Sequence, residues 1–191
     1  MELIGHLWLP ILLSSVFVFI VSSIVHMVLP IHKGDYKRLP GEEKITAEMR
    51  AQGVTAGSYM VPYPAECKSM KDFQTPEMIE KYKQGPVGQV ILIPNGSPAM
   101  GKSLVLWFLF SVVVSGFAAY LGYLALGWGA PYRAVFRVTG TAAILGYAVS
   151  SLPDSIWRGQ RWGITLKFVI DGIVYGLVTA GTFGWLWPEA M

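Results

Sequence analysis

The stretch that decides the fold is Gly163–Trp187, GITLKFVIDGIVYGLVTAGTFGWLW. It is 25 residues long and carries two charges, Lys167 and Asp171, four positions apart. At ~1.5 Å of rise per residue, about twenty apolar residues in a helix cross the ~30 Å hydrocarbon core of a bilayer. An ionised side chain at the centre of such a span costs ~2.5–3.5 kcal/mol on insertion scales, so it turns toward other helices or a water-filled cavity. Asp171 sits eight residues in from Gly163, ~12 Å deep. Lys167 lies one turn shallower and Tyr175 one turn deeper, and the i, i+4 spacing puts all three on one face.

Three further blocks have the same character: Leu7–Leu29, Ser103–Leu126 and Ala134–Leu152. The first two contain no Lys, Arg, Asp or Glu. The whole chain of 191 residues is 53% hydrophobic and 14% charged, well under the ~25% charged of a soluble domain. The expected fold is an all-α membrane protein with four transmembrane helices and a small α+β cytoplasmic insertion between the first and second. The boundaries expected are 1–29 for the first helix, 30–102 for the insertion and 103–191 for three further helices packing with the first. Leu7–Leu29 is longer than a signal-peptide core, follows no Lys or Arg and precedes no A-x-A site, so it reads as a span.

Charge placement sets the expected topology. Of 15 Lys and Arg, ten lie between Pro30 and Lys102. Arg158 and Arg161 lie between the third and fourth spans, while the terminal tails have neither Lys nor Arg. Basic residues near span ends stay cytoplasmic. Both termini are therefore expected on the outer side of a bacterial inner (plasma) membrane, with the 30–102 loop inside. The loop's basic residues are interleaved with eight acids, without a basic stripe or stacking aromatics, so nucleic acid is not an expected partner. The one cysteine, Cys67, makes no internal disulfide and reads as a free thiol.

Within the insertion, Glu42–Gln52 reads as a helix closed by Gly53, and Thr75-Pro76-Glu77 as a helix start with a cap, a proline at the first position and an acid in the first turn. Ser58–Val61 and Gly88–Ile93 read as strands. The string Gly96-Ser97-Pro98-Ala99-Met100-Gly101-Lys102-Ser103 fits the phosphate-loop pattern G-x-x-x-x-G-K-[ST]. A nucleotide site there is nevertheless not expected. The following helix is a membrane span, no βαβ sheet has room to form, and Pro98 removes a backbone N–H. The string reads as a membrane-entry turn with Ser103 as cap. At most, Gly101, Lys102 and Ser103, with Arg158 and Arg161, are candidates for contact with a lipid phosphate.

The candidate site is an intramembrane polar cluster of His26, Lys167, Asp171 and Tyr175, built around a Lys167–Asp171 pair. His26 is the one histidine inside a span, so ligation by two imidazoles is not expected. Arg137, in the third span, has no acid at its depth and is a candidate contact for a partner or lipid. No cofactor or metal is expected, and no nucleophile–base pair or carboxylate pair suggests an enzyme.

Several stretches resemble an uncharacterised family of small multi-pass bacterial inner-membrane proteins. They are Ser22–Met27, Gly85–Gly88, Met100–Ser103, Asp171–Tyr175 and Thr179–Pro188. That family has no assigned activity, so the resemblance assigns no role to any residue. The expected function is that of a non-catalytic accessory or structural subunit of a larger membrane complex, in contact with lipids and with partner subunits or further copies of itself. The alternatives are a small transporter or proton-coupled carrier using Asp171, and a lipid-binding membrane protein.

Overall fold

A computed structural model describes residues 2–97 and 99–190, with side chains from residue 5 onward. Pro98, in the phosphate-loop-like string, lies outside the described residues. The chain is mostly helical, with four helices long and apolar enough to cross a membrane and one small two-stranded sheet. It divides into two compact units: Met1–Tyr36 with Ala99–Ile156 and Gln160–Met191, and Lys37–Pro98 with Trp157–Gly159.

The first unit is the helical one. Its long helices are α1 (Glu2–Ser23), α4 (Gly101–Ala125), α5 (Tyr132–Tyr147) and α7 (Trp162–Leu186). Helix α1 packs on α4 and α7, and α5 packs on α4 and, most extensively, on α7. This makes a four-cornered ring with α1 diagonal to α5. Leu7, Ala118, Ala119, Val135, Phe183 and Trp187 form a core at one end, and Val18, Val114, Ala143, Tyr147 and Tyr175 form one at the other. The helices therefore alternate in direction.

Beside these core residues, much of what is buried is small and hydroxylated. Ser14, Ser15, Ser111, Ser115, Thr139, Thr165 and Thr179 are wholly inside, whereas Phe117, Leu124, Ile170 and Leu177 face outward. This fits helices set in lipid, where apolar side chains gain nothing by hiding and close backbone approach is the adhesive. Most of these hydroxyls are satisfied by the preceding turn of their own helix: Thr139 Oγ1 donates to the Val135 carbonyl (2.8 Å) and Thr179 Oγ1 to that of Tyr175 (3.0 Å). Others reach across. Ser14 Oγ donates to Ser115 Oγ at 3.0 Å, and Trp107 Nε1 to Ser22 Oγ at 2.8 Å.

The α5–α7 seam is the tightest. A Cβ on Gly172 would come within 2.5 Å of the Ala148 backbone, and one on Gly176 within 2.9 Å of Ile144 N. With Ala180 and Gly184 these make an i, i+4 ridge on α7, and Ala180 Cβ would lie 2.8 Å from a Cβ on Gly140.

Three boundaries differ from the sequence reading. The third span continues to Trp157. Leu152–Trp157 (α6), beyond the expected end at Leu152, is helical and joined to α5 by one 3-10 turn at Val149–Ser151; Pro153 falls in the first turn of α6, where its missing N–H costs nothing. Helix α4 starts at Gly101, so Ser103 lies inside the first turn and does not cap; the capping position is Met100, without a side-chain bond. Helix α1 already runs from Glu2, which leaves Pro10 within it.

The second unit holds α2 (Glu42–Ala51), α3 (Pro76–Gln84) and an antiparallel ribbon of β1 (Gly57–Val61) and β2 (Gly88–Leu92), with Gly57 opposite Leu92 and Val61 opposite Gly88. Thr75 Oγ1 caps α3 by accepting from Met78 N. The Lys81 ammonium, 2.6 Å from Glu77, holds that carboxyl below its ordinary range.

The seam gives a direct test. Gly172→Ala drives a methyl into fixed backbone and should cost about 1–3 kcal/mol, lowering the thermal midpoint in detergent. Gly116→Ala, whose Cβ would meet open space, should leave it unchanged.

Candidate functional site

The site begins with how α1 ends. Its last turn widens into a π-helical turn at Ile24–Val28, closed by Leu29 N donating to the Ile24 carbonyl at 3.0 Å. Pro30 then keeps Leu29 extended (φ −78°, ψ 143°), because the residue before a proline is driven out of the α region. A 3-10 turn, Pro30–His32, follows. The chain folds back onto α7 and delivers two side chains, His32 and Asp35, that the sequence reading did not include.

His32 is held from both sides. Its Nδ1 lies 2.6 Å from Asp35 Oδ2, and its Nε2 stands 2.9 Å from Asp171 Oδ2. His26 Nε2 lies 3.9 Å from the same Asp171 oxygen. The two imidazole rings are 4.4 Å apart, and Phe168 lies 5.3 Å from the His32 ring and 6.0 Å from that of His26. The Asp171 and Asp35 side chains are 8% and 3% exposed, so neither has water as its main partner.

Lys167 does not pair with Asp171, contrary to expectation. Its Nζ donates to Asp35 Oδ1 at 2.5 Å and to the Ile31 carbonyl at 2.7 Å. The side chain leans toward the near end of the bundle, where the returning segment supplies an acid and a carbonyl. That hydrogen bond, and then the one from His32, hold the Asp35 carboxyl below the ordinary carboxylate range. The expectation that no second imidazole was within reach also fails: His32 is outside the span by sequence and beside His26 in space.

Beside this network lies a pocket of about 680 Å³. Its wall includes His26 and Asp171, with Tyr175, Trp107, Ser103 and Ser151. Tyr175 Oη is buried with no hydrogen-bond partner among the described residues, although its ring packs on Trp107 and Tyr147. The end of α7 next to the pocket is fixed to α6. Ser155 Oγ and Gln160 Nε2 both meet Thr165 Oγ1, at 2.6 and 2.8 Å.

The structure thus gathers His26, Asp171 and Tyr175 around one pocket and adds His32 and Asp35 to Lys167 behind it. Gly101, Lys102 and Ser103 are exposed in the first turn of α4, and Arg161 is exposed at the start of α7. Arg158 belongs to the other unit. Arg137 is exposed on α5, in a groove with Leu121, Val138 and Leu145.

Charge counting shows what the arrangement can do. A carboxylate only accepts, and both ring nitrogens of His32 face one, Nδ1 that of Asp35 and Nε2 that of Asp171. A neutral ring carries one proton, so with that proton on Nδ1 two acceptors, Nε2 and Asp171 Oδ2, face each other at 2.9 Å. That approach is attractive only with a positive charge between or on them, whether a proton or a bound cation. Comparison with family models, curated proteins and solved structures finds no match to this chain.

An unpartnered buried hydroxyl costs about 1–3 kcal/mol. Tyr175→Phe, which keeps the ring contacts, should therefore leave the thermal midpoint of the ligand-free protein unchanged or raise it. A clear drop would show that the hydroxyl is bonded.

Proposed function

We propose that this chain is a carrier-type membrane protein that binds a small cation in the pocket beside Asp171. One observation carries the reading. Asp171 is a buried carboxylate on a membrane-length helix, open to a pocket, and the only ammonium on that helix is taken by Asp35. Its neighbours are the two imidazoles, which can themselves donate lone pairs. Buried charge in a span is costly and persists where it handles an ion or solute. The experiment is a thermal-shift series on purified protein with the chlorides of Na⁺, K⁺, Mg²⁺, Mn²⁺ and Zn²⁺ and with spermidine. At least one cation should raise the midpoint of the wild type and fail to raise that of Asp171→Asn. No shift with any of them, or equal shifts in both proteins, overturns the proposal.

We assign the pocket to the cytoplasmic side of a bacterial inner membrane, with both termini outside. Lys33, Lys37, Arg38, Lys102 and Arg161 flank the span ends nearest the pocket in sequence, and such residues remain cytoplasmic. The exposed thiol of Cys67 offers a test, being the one cysteine in the chain. A membrane-impermeant maleimide should label it in inside-out vesicles and leave it unmodified in intact spheroplasts. The reverse pattern would invert the topology.

A role as an accessory subunit of a larger assembly is the second reading. Arg137 favours it, because this exposed guanidinium lies in an apolar groove with no acid paired to it among the described residues. Extraction in mild detergent would then co-purify a second membrane polypeptide in fixed ratio, and Arg137→Leu would release it.

A further inference from the structure

We propose that His26, His32 and Asp171 form a binding site for a first-row divalent transition metal, with Asp35 and Lys167 as its outer support. The inference rests on the cation-pocket reading and names the cation's class.

The geometry comes first. One ligand atom from each of the three residues lies within 4.8 Å of the others. Tetrahedral coordination with bonds of ~2.0–2.1 Å separates ligand atoms by roughly 3.3 Å. The distances to Asp171 Oδ2, 2.9 Å from His32 Nε2 and 3.9 Å from His26 Nε2, lie on either side of that value. A cation among the three atoms would also resolve the acceptor–acceptor approach between His32 and Asp171.

His32 also has the outer support of a metal ligand. A metal-binding imidazole nearly always gives its other N–H to a carboxylate or carbonyl, which fixes the tautomer and the ring plane. His32 does so to Asp35 at 2.6 Å, and Asp35 is in turn fixed by Lys167, itself bonded to the Ile31 carbonyl. With the His32 proton on Nδ1, toward Asp35, the Nε2 lone pair faces the cluster. The Phe168 ring stacks on that of His26 at 6.0 Å and lies tilted against that of His32 at 5.3 Å. His26 and Asp171 also line the pocket, so a fourth position would open toward solute rather than protein, as it does in sites that exchange a ligand.

The donor set selects the ion. Two imidazoles and one carboxylate suit Zn²⁺, Fe²⁺, Co²⁺ or Ni²⁺ better than Mg²⁺ or Ca²⁺, which prefer oxygen-only shells, or Cu⁺, which prefers sulfur.

The test uses the full chain in detergent, stripped with chelator, loaded with ZnCl₂ and desalted. Elemental analysis should find about one Zn²⁺ per chain, falling to background in His32→Gln and Asp171→Asn. Asp35→Asn should retain the ion with ~10–100-fold weaker affinity, a graded loss that a residue without a supporting role would not give. CoCl₂ added to the stripped wild type should produce visible d–d absorption that Zn²⁺ abolishes, a readout that depends on no variant folding. Absence of both bound Zn²⁺ and a Co²⁺ spectrum overturns the metal assignment. If Na⁺, K⁺, Mg²⁺ or spermidine then still stabilises the protein through Asp171, the cation-pocket reading stands alone. If none does, both readings fall.

Discussion

Backbone-to-backbone approach of α5 and α7 is the constraint on which the rest depends. Between helices in lipid there is no hydrophobic gain to collect, so contact must come from close packing of chain against chain. Gly172 and Gly176 meet Ala148 and Ile144 with no space for a side chain. This fixes the rotation of α7 about its axis, and that rotation decides where Asp171, one residue before Gly172, can point. Ridge and carboxylate thus share one stretch of helix, and the tight seam works as the positioning device for the polar residue beside it.

The same logic explains an interior that looks inverted beside that of a soluble protein. Serines and threonines fill it because their hydroxyls bond to their own helix and their bulk is small. Among the larger side chains packed between them, two tryptophans also carry polar ties. Trp107 and Trp187 carry an N–H, and each N–H finds an oxygen on another segment, Ser22 Oγ and the Gly127 carbonyl. They tie neighbouring elements together near opposite ends of α4.

Much of the fold was legible in the sequence because its signals are local. Runs of apolar residues, sparse charge and the Thr75-Pro76-Glu77 start announce four long helices and a short capped one without reference to anything distant. The third span was expected to end at Leu152 and runs on as helix to Trp157, because Pro153 falls in the first turn of α6, where its missing N–H breaks nothing. The candidate site was legible only in part. Asp171 and His26 stand out, being ionisable residues inside apolar spans. His32 and Asp35 do not, because they sit in a polar juxtamembrane stretch where such residues are ordinary. They reach α7 across 139 and 132 positions of sequence. A weak signal was present: a His and an Asp three apart, directly after the proline that ends the first span. The i, i+4 spacing of Lys167 and Asp171 suggested a pair that the fold declines, since the returning segment offers Lys167 two acceptors at once.

The wide turn at Ile24–Val28 has a consequence for how the site is encoded. An ordinary helix advances ~100° per residue, and an i→i+5 turn accommodates one residue more than the pitch allows. Excising one of Ile24, Val25, Met27 or Val28 would let the turn relax to regular pitch while the residues beyond it keep nearly their angular position about the helix axis. The same excision in the regular turns of α1 would rotate everything beyond it by ~100°, and Pro30 would launch the returning segment away from α7. The wide turn is therefore a place of slack in chain length ahead of His32, and it is in the regular turns before it that a one-codon deletion touching no ionisable group would disable the cluster as surely as replacing His32 itself.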